Sequence, residues 1–308
     1  MLKNKYIFLI IIVFVFCLYF IEPLRNYATI LSLLLGIFLR YTDKFYVPKK
    51  LNDYRKTILN ASIVFFGFSL NINAVIEVGS KGVILSLVSL IVVIVCGYLL
   101  LKLINYDKVT GELTIYGTAI CGGSAIAATS SVLKASSKQI AMAMATVFLL
   151  NTVALVIFPI LGHLLNLTQY QFGVWSALSI HDVSSVVGAA SAYGEEALAT
   201  ATILKLTRTL WIIPIAIVLS KKNNSKKKAL FPMFILYFLI ASVITTLFPY
   251  EQIQNLSTLG KTFLSVALFL VGYGIHIKDL KELGVKGITF GLILWMISII
   301  TGLTLALM

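Results

Sequence analysis

The sequence is short of charge, of acid and of the residues that build soluble linkers. Only 12% of its 308 residues are Asp, Glu, Lys or Arg, about half the usual share of ~25% in a globular chain. Twelve acidic residues stand against twenty-five basic ones. Six prolines and three cysteines complete the list of scarce residues. Cys17, Cys96 and Cys121 all fall in apolar runs, and an odd count without spaced pairs gives neither a disulfide framework nor zinc-ligand spacing. No phosphate-binding loop fingerprint is present, which argues against ATP-driven chemistry within the chain. No cofactor or metal is expected.

What fills the space is apolar: 59% of the chain is hydrophobic. A soluble protein of this length cannot hide so much apolar surface in one or two cores. A soluble enzyme, a disordered tail and a nucleic-acid binder are therefore excluded, although the formal net charge is +13. The chain reads as an integral membrane protein whose partner is the lipid bilayer.

About 20 apolar residues cross the hydrocarbon core as a helix. Eleven stretches qualify: 6–21, 27–40, 57–75, 82–104, 112–133, 139–163, 171–192, 197–220, 230–249, 261–277 and 287–307. The first, preceded by Lys3 and Lys5, lacks a small-x-small cleavage site before Glu22-Pro23, so a retained span is expected rather than a signal peptide. Connections are short, and one membrane domain over 1–308 is expected. Lys and Arg gather in the loops 40–56, 221–229 and 278–286, which an eleven-span count puts on one side. The positive-inside rule then sets the N-terminus in the cytoplasm and the C-terminus outside.

The chain also matches itself. Gly67-Phe68-Ser69-Leu70-Asn71-Ile72 aligns with Gly272-Tyr273-Gly274-Ile275-His276-Ile277 at an offset of 205, and the match runs on through Glu77/Glu282, Gly79/Gly284, Lys81/Lys286 and Gly82/Gly287. On the expected topology the two copies run in opposite directions, as an inverted-topology repeat requires. A weaker similarity joins 118–160 to 178–215 through Ile120/Ile180, Ser124/Ser184 and Pro159/Pro214.

Polar residues concentrate in three spans. Tandem glycines in Ile120-Cys121-Gly122-Gly123-Ser124 weaken a helix at mid-membrane and leave backbone groups needing partners. A half-helix starting near Ser124 would turn its amides toward an anion, although small residues also serve close helix packing. His181-Asp182, followed by Ser184 and Ser185, sits at the centre of 171–192. Asp182 is the single carboxylate that this reading puts inside the membrane, which makes it a coupling or counter-ion candidate. Lys205 and Arg208 lie near the middle of 197–220, on one helical face. They leave one cation unbalanced by Asp182, and an arginine fork suits an oxyanion or carboxylate. Asn151 can add hydrogen bonds.

Three segments carry a resemblance: GTAICGGSAIAA (Gly117–Ala128), WSALSIHDVSSVV (Trp175–Val187) and ILKLTR (Ile203–Arg208). They resemble the YeiH-type bacterial inner-membrane proteins, a family associated with export of sulfate and other small sulfur oxyanions. Relatives usually carry His-Asp-Thr where this chain has His181-Asp182-Val183, which keeps the carboxylate and removes a hydroxyl. The resemblance implies a distant relation to cation–proton antiporters and bile-acid-type carriers, with crossed, discontinuous helices.

The expectation is thus an all-α polytopic protein with an inverted repeat and helices broken at mid-membrane. It would work as a secondary exporter of a small anion, sulfate or sulfite, coupled to protons or sodium. Cys121, Gly122, Gly123, Ser124, Asn151, Ser184, Ser185, Lys205 and Arg208 would bind the solute, and His181 and Asp182 would couple the ion. A homodimer is compatible with this reading. Alternatives are an anion channel, or an intramembrane thiol enzyme with Cys121 as nucleophile and His181 and Asp182 as base and orienter.

Overall fold

The computed structural model describes residues 11–17, 21, 28–41, 51–222, 232–250, 253, 256–274 and 284–308. Among them the chain is all-helical. Residues 11–17 are helical, and thirteen further helices follow. They are α1 (Ala28–Tyr41), α2 (Leu51–Gly67), α3 (Ile72–Ile104), α4 (Lys108–Ala119), α5 (Gly123–Ser130), α6 (Ser137–Leu164) and α7 (Gln169–Ser179). The rest are α8 (Val183–Tyr193), α9 (Glu195–Thr209), α10 (Ile212–Lys222), α11 (Met233–Leu247), α12 (Leu256–Tyr273) and α13 (Gly284–Leu307).

Against an expectation of eleven spans, five helices among the described residues are long and apolar enough to cross a membrane: α3, α6, the stretch Glu195–Lys221, α12 and α13. Helix length and discontinuity account for the difference: α1, α2 and α11 run for only 14, 17 and 15 residues, and two more spans are broken. The expected spans 112–133 and 171–192 are each two shorter helices, α4/α5 and α7/α8. Most of the basic loops that carry the orientation argument (42–50, 223–231 and 278–283) lie outside the described residues, as do residues 275–283 of the second repeat copy.

The chain folds as two compact units, residues 1–76 with 232–277 and residues 77–231 with 278–308. In the first, α12 packs between α1 and α2 over buried Ala28, Leu51, Val266, Phe269, Leu270 and Tyr273. Two glycines make the α1–α12 approach close enough for backbone contact. A Cβ on Gly36 would strike the Phe269 carbonyl, and one on Gly272 the Leu33 carbonyl, the small-residue logic of membrane helix pairs. The turn after α2 is satisfied by α11. Ser242 Oγ donates to Gly67 O at 3.2 Å, Thr245 Oγ1 donates to Phe68 O at 3.0 Å, and Thr246 Oγ1 accepts from Ile72 N at 2.8 Å.

The second unit carries the polar centres. Capping boxes start α6 (Ser136 with Gln139) and α7 (Thr168 with Gln171), each pairing two orphan amide groups reciprocally. Asp107 caps α4, accepting from Thr110 N at 2.8 Å, from Thr110 Oγ1 at 2.6 Å and from Gln139 Nε2 at 3.0 Å. Leu113, Ile126, Ala143 and Val147 join α4, α5 and α6 in one apolar cluster. At the other side of this unit Phe158, Trp175 and Trp295 stack, with Phe158–Trp175 centroids 4.3 Å apart.

Candidate functional site

Both breaks fall where the sequence weakens the helix. In the first, Ile120 N donates to Tyr116 O, and Gly122 N reaches back to Gly117 O at 2.8 Å. Gly122 then takes φ +67 with ψ −125, outside the left-handed helical well and in a region that glycine enters far more readily than L-residues. In the second, Ile180 and Asp182 are extended (ψ 134 and 145). The Asp182 carboxylate accepts from Ser184 N at 3.1 Å and from Ser184 Oγ, the usual N-cap arrangement. The two breaks touch. A Cβ on Gly122 would lie 3.4 Å from Asp182 N and 3.3 Å from Val147 Cγ1, so glycine is required both by conformation and by space.

Each break exposes a carbonyl end and an amide end, and the buried backbone groups there need partners. The carbonyl ends are closed almost completely by side chains. Arg208 donates through Nε to Ala119 O (2.7 Å), through Nη2 to Thr118 O (3.0 Å), and through Nη1 to Ala177 O (3.3 Å) and Leu178 O. Lys205 Nζ donates to Ala177 O (3.2 Å) and Ile180 O (2.6 Å). From α13, Ser298 Oγ donates to Leu178 O (3.0 Å) and Trp295 Nε1 to Ser179 O (3.2 Å). Every carbonyl from Ala177 to Ile180 is therefore paired with a side chain. Lys205 and Arg208 are fully buried and lie at the negative ends of α4 and α7, where helix dipoles favour cations. Among the described residues neither forms an ion pair with Asp182.

The amide ends are treated differently. Asn151 Oδ1 accepts from His181 N at 3.0 Å and Asp182 N at 3.2 Å, so α6 clamps the second break from the side. The first amide end has only Gly122 as N-cap and no side-chain cap. Ser124 is exposed there and Gly123 half-buried. Four buried polar atoms near the crossing have no partner: Thr118 Oγ1, Asn151 Nδ2 and both ring nitrogens of His181. A buried unpaired group costs about 1–3 kcal/mol, which marks these atoms as available to a bound polar species.

The structure gathers all the sequence-designated residues in the second unit. Cys121, Gly122, Gly123 and Ser124 line the first break; His181, Asp182, Ser184 and Ser185 line the second. Asn151 joins the second break from α6, and Lys205 and Arg208 reach the carbonyl ends from α9. Cys121 is fully buried, and neither ring nitrogen of His181 contacts a partner, so the hydrogen bonds of a thiol–imidazole–carboxylate triad are not made. Sequence reasoning missed Trp295 and Ser298. They share one face of α13 at i and i+3, but a Trp in an apolar span reads first as a lipid-facing or belt residue. It also left Glu112 at a helix end, whereas the carboxylate is buried at 6% exposure.

The family described as conserved hypothetical protein 698 matches residues 6–291. The chain belongs to the YeiH-like UPF0324 membrane protein family. A UPF0324 membrane protein of Vibrio parahaemolyticus is 45% identical over 260 residues, covering 82% of this chain and 84% of the relative. A Shewanella oneidensis member is 46% identical over 263 residues (84% and 83%), and one from Geobacter sulfurreducens is 43% identical over 280 residues (90% of each). No solved structure matches. Membership establishes a membrane protein; what a UPF0324 protein does must come from the geometry of its polar centre.

Proposed function

We propose that this chain is a secondary carrier of a small anion, held where the amide ends of α5 and α8 meet. One observation carries the reading. Side chains close the carbonyl ends of the crossed half-helices, whereas the amide end of α5 has only glycine as its cap and opens at Gly123 and Ser124. An uncapped helix N-terminus favours a negative charge, and two buried cations outnumber Asp182 nearby. Asn151 Nδ2, Ser184, Ser185 and the His181 ring supply further polar groups. In this reading Lys205 and Arg208 are positioning residues: they bind the two carbonyl ends together and set the positive potential, rather than gripping the solute.

Discontinuous helices meeting at an ion site are the arrangement expected of an alternating-access carrier. The resemblance to YeiH-type proteins supports a sulfur oxyanion, sulfate or sulfite, leaving the cell across the inner membrane, with the N-terminus cytoplasmic and Asp182 and His181 at the crossing of the half-helices. The inverted repeat suggested at Gly67–Gly82 and Gly272–Gly287 fits the same mechanism.

Counterflow tests it. Proteoliposomes preloaded with unlabelled sulfite or sulfate should accumulate the labelled anion transiently, which a pore cannot do. Ser124→Leu should reduce that flux by about tenfold or more with thermal stability unchanged. Absence of counterflow with sulfite, sulfate, sulfonates and small carboxylates would overturn the carrier reading.

A further inference from the structure

We propose that Glu112, hydrogen-bonded to Tyr98, which is itself paired with Tyr116, is the residue that takes up and releases the coupling proton. This rests on the carrier reading and deepens it by naming the ion and its seat. Glu112 lies one turn inside α4 and is 6% exposed. Tyr98 of α3 donates its hydroxyl to Glu112 Oε1 at 3.4 Å and sits 2.8 Å from the Tyr116 hydroxyl. Among the described residues no cation forms an ion pair with this carboxylate.

The helices are built to meet here. Gly97, just before Tyr98, is packed against Ile115, and Gly111, just before Glu112, is packed against Leu101. A side chain at either place would press on Ile115 or Leu101, so the two glycines leave room for the close packing beside the hydroxyl and the carboxylate. The sequence thus keeps a carboxylate and two phenols together, and among the described residues no cation forms an ion pair with the carboxylate. A buried carboxylate without an ion-pair partner is costly, and within a membrane protein such a group is a functional candidate, proton uptake being one of the roles it can serve.

The trio accommodates both protonation states without rearranging. With Glu112 ionised, the Tyr98 hydroxyl donates to it and accepts from Tyr116. With Glu112 protonated, the carboxyl donates to Tyr98, whose own proton turns to the Tyr116 oxygen. The other ionisable groups on α4 and the elements around it are Asp107 and Lys108 at the start of α4, Glu77, Lys81, Cys96 and Lys102 on α3, Lys138 and His163 on α6, and Lys286 on α13. None forms an ion pair with Glu112 among the described residues. From Glu112 to the break at Ile120 is about 12 Å along α4 at 1.5 Å per residue, so the proton seat lies between one end of the helix and the proposed anion site.

The test separates coupling from carrying. Glu112→Gln in proteoliposomes should keep anion counterflow and lose accumulation driven by a pH gradient. Tyr98→Phe should keep both and shift the pH of half-maximal accumulation. Infrared difference spectra of the purified protein between mildly alkaline and acidic buffer provide a readout independent of transport. They should show the carbonyl band of a protonated carboxyl in the parent chain and lose it in Glu112→Gln. If Glu112→Gln accumulates anion as the parent does, or if the band persists in it, the assignment to Glu112 falls while the carrier reading stands. If counterflow fails in the parent too, the carrier reading falls, and the infrared band alone decides whether Glu112 binds a proton.

Discussion

The two breaks in the second unit are built alike and finished differently. Each has an isoleucine ending the first half-helix, Ile120 or Ile180, and a serine in the first turn of the next, Ser124 or Ser184. At the α7/α8 break every orphan carbonyl from Ala177 to Ile180 has a side-chain donor, and the amide end carries the Asp182 carboxylate. At the α4/α5 break Arg208 alone supplies the side-chain donors to Thr118 and Ala119, and the amide end carries only a glycine. One break is a finished joint. The other depends on a single side chain and leaves its positive end open, which is the property an anion site needs.

The largest effect should come from Arg208→Gln, because the two breaks lean on Arg208 unequally. Ala177 O keeps Lys205 and Leu178 O keeps Ser298, whereas Thr118 O and Ala119 O lose their side-chain donors. At about 1–3 kcal/mol for each orphaned carbonyl, the variant should lose about 2–6 kcal/mol and express poorly. Hydrogen exchange should rise at Ile120–Gly122 well before Ile180–Asp182. Equal loosening of both breaks would show that the asymmetry has no energetic meaning.

A smaller effect should follow from exchanging the caps. Asp182→Ala removes the carboxylate from α8 and should destabilise by about 0.5–2 kcal/mol. Gly122→Asn does the reverse at α5: it offers a side-chain oxygen to the open amides, in a backbone conformation that favours glycine. Its Cβ would sit 3.3 Å from Val147 and 3.4 Å from Asp182 N, so a fall in Tm from both strain and crowding is expected. Sulfite or sulfate should raise the Tm of the parent chain by mass action. That shift should vanish in Gly122→Asn and survive in Asp182→Asn, which keeps an oxygen cap. A persistent shift in Gly122→Asn would move the anion away from α5.

How far the sequence foretold this depends on what kind of signal each residue leaves. Gly122-Gly123 and His181-Asp182 are legible because tandem glycine and a mid-span carboxylate are both costly in an apolar helix, so their positions announce a break. Lys205 and Arg208 are equally conspicuous, but their partners are not. A guanidinium bound to backbone carbonyls leaves no complementary side chain in the sequence, so counting charges against Asp182 alone suggested an anion ligand. Trp295 and Ser298 act through backbone acceptors more than a hundred residues away in sequence, and nothing local marks them. Glu112 stands at the first residue of the expected span 112–133, where nothing in the sequence marks burial. Only the packing of Gly97 and Gly111 shows that α3 covers it.

The starts of the first half-helices extend the comparison to the smallest expected effect. Asp107 caps α4 and Thr168 caps α7, so one joint begins at a titratable group and the other does not. Partial burial pushes the Asp107 carboxyl upward, but Thr110, through its hydroxyl and amide, and the Gln139 side chain pull it below the ordinary carboxylate value. The folded chain therefore binds this proton less readily than the unfolded chain. The stabilisation is complete above the unfolded carboxylate pKa and is lost as pH falls through the lowered folded value. The neighbouring Tyr106 hydroxyl, pushed up to about 12 by burial and by Asp107, stays neutral throughout that range. Acid should thus speed hydrogen exchange in the first turn of α4 and leave the first turn of α7 unchanged. Asp107→Asn should remove that acid dependence, while Thr168→Ala should weaken α7 by a pH-independent amount. Equal acid sensitivity at both starts would mean that the titration seen at α4 belongs to some other carboxylate.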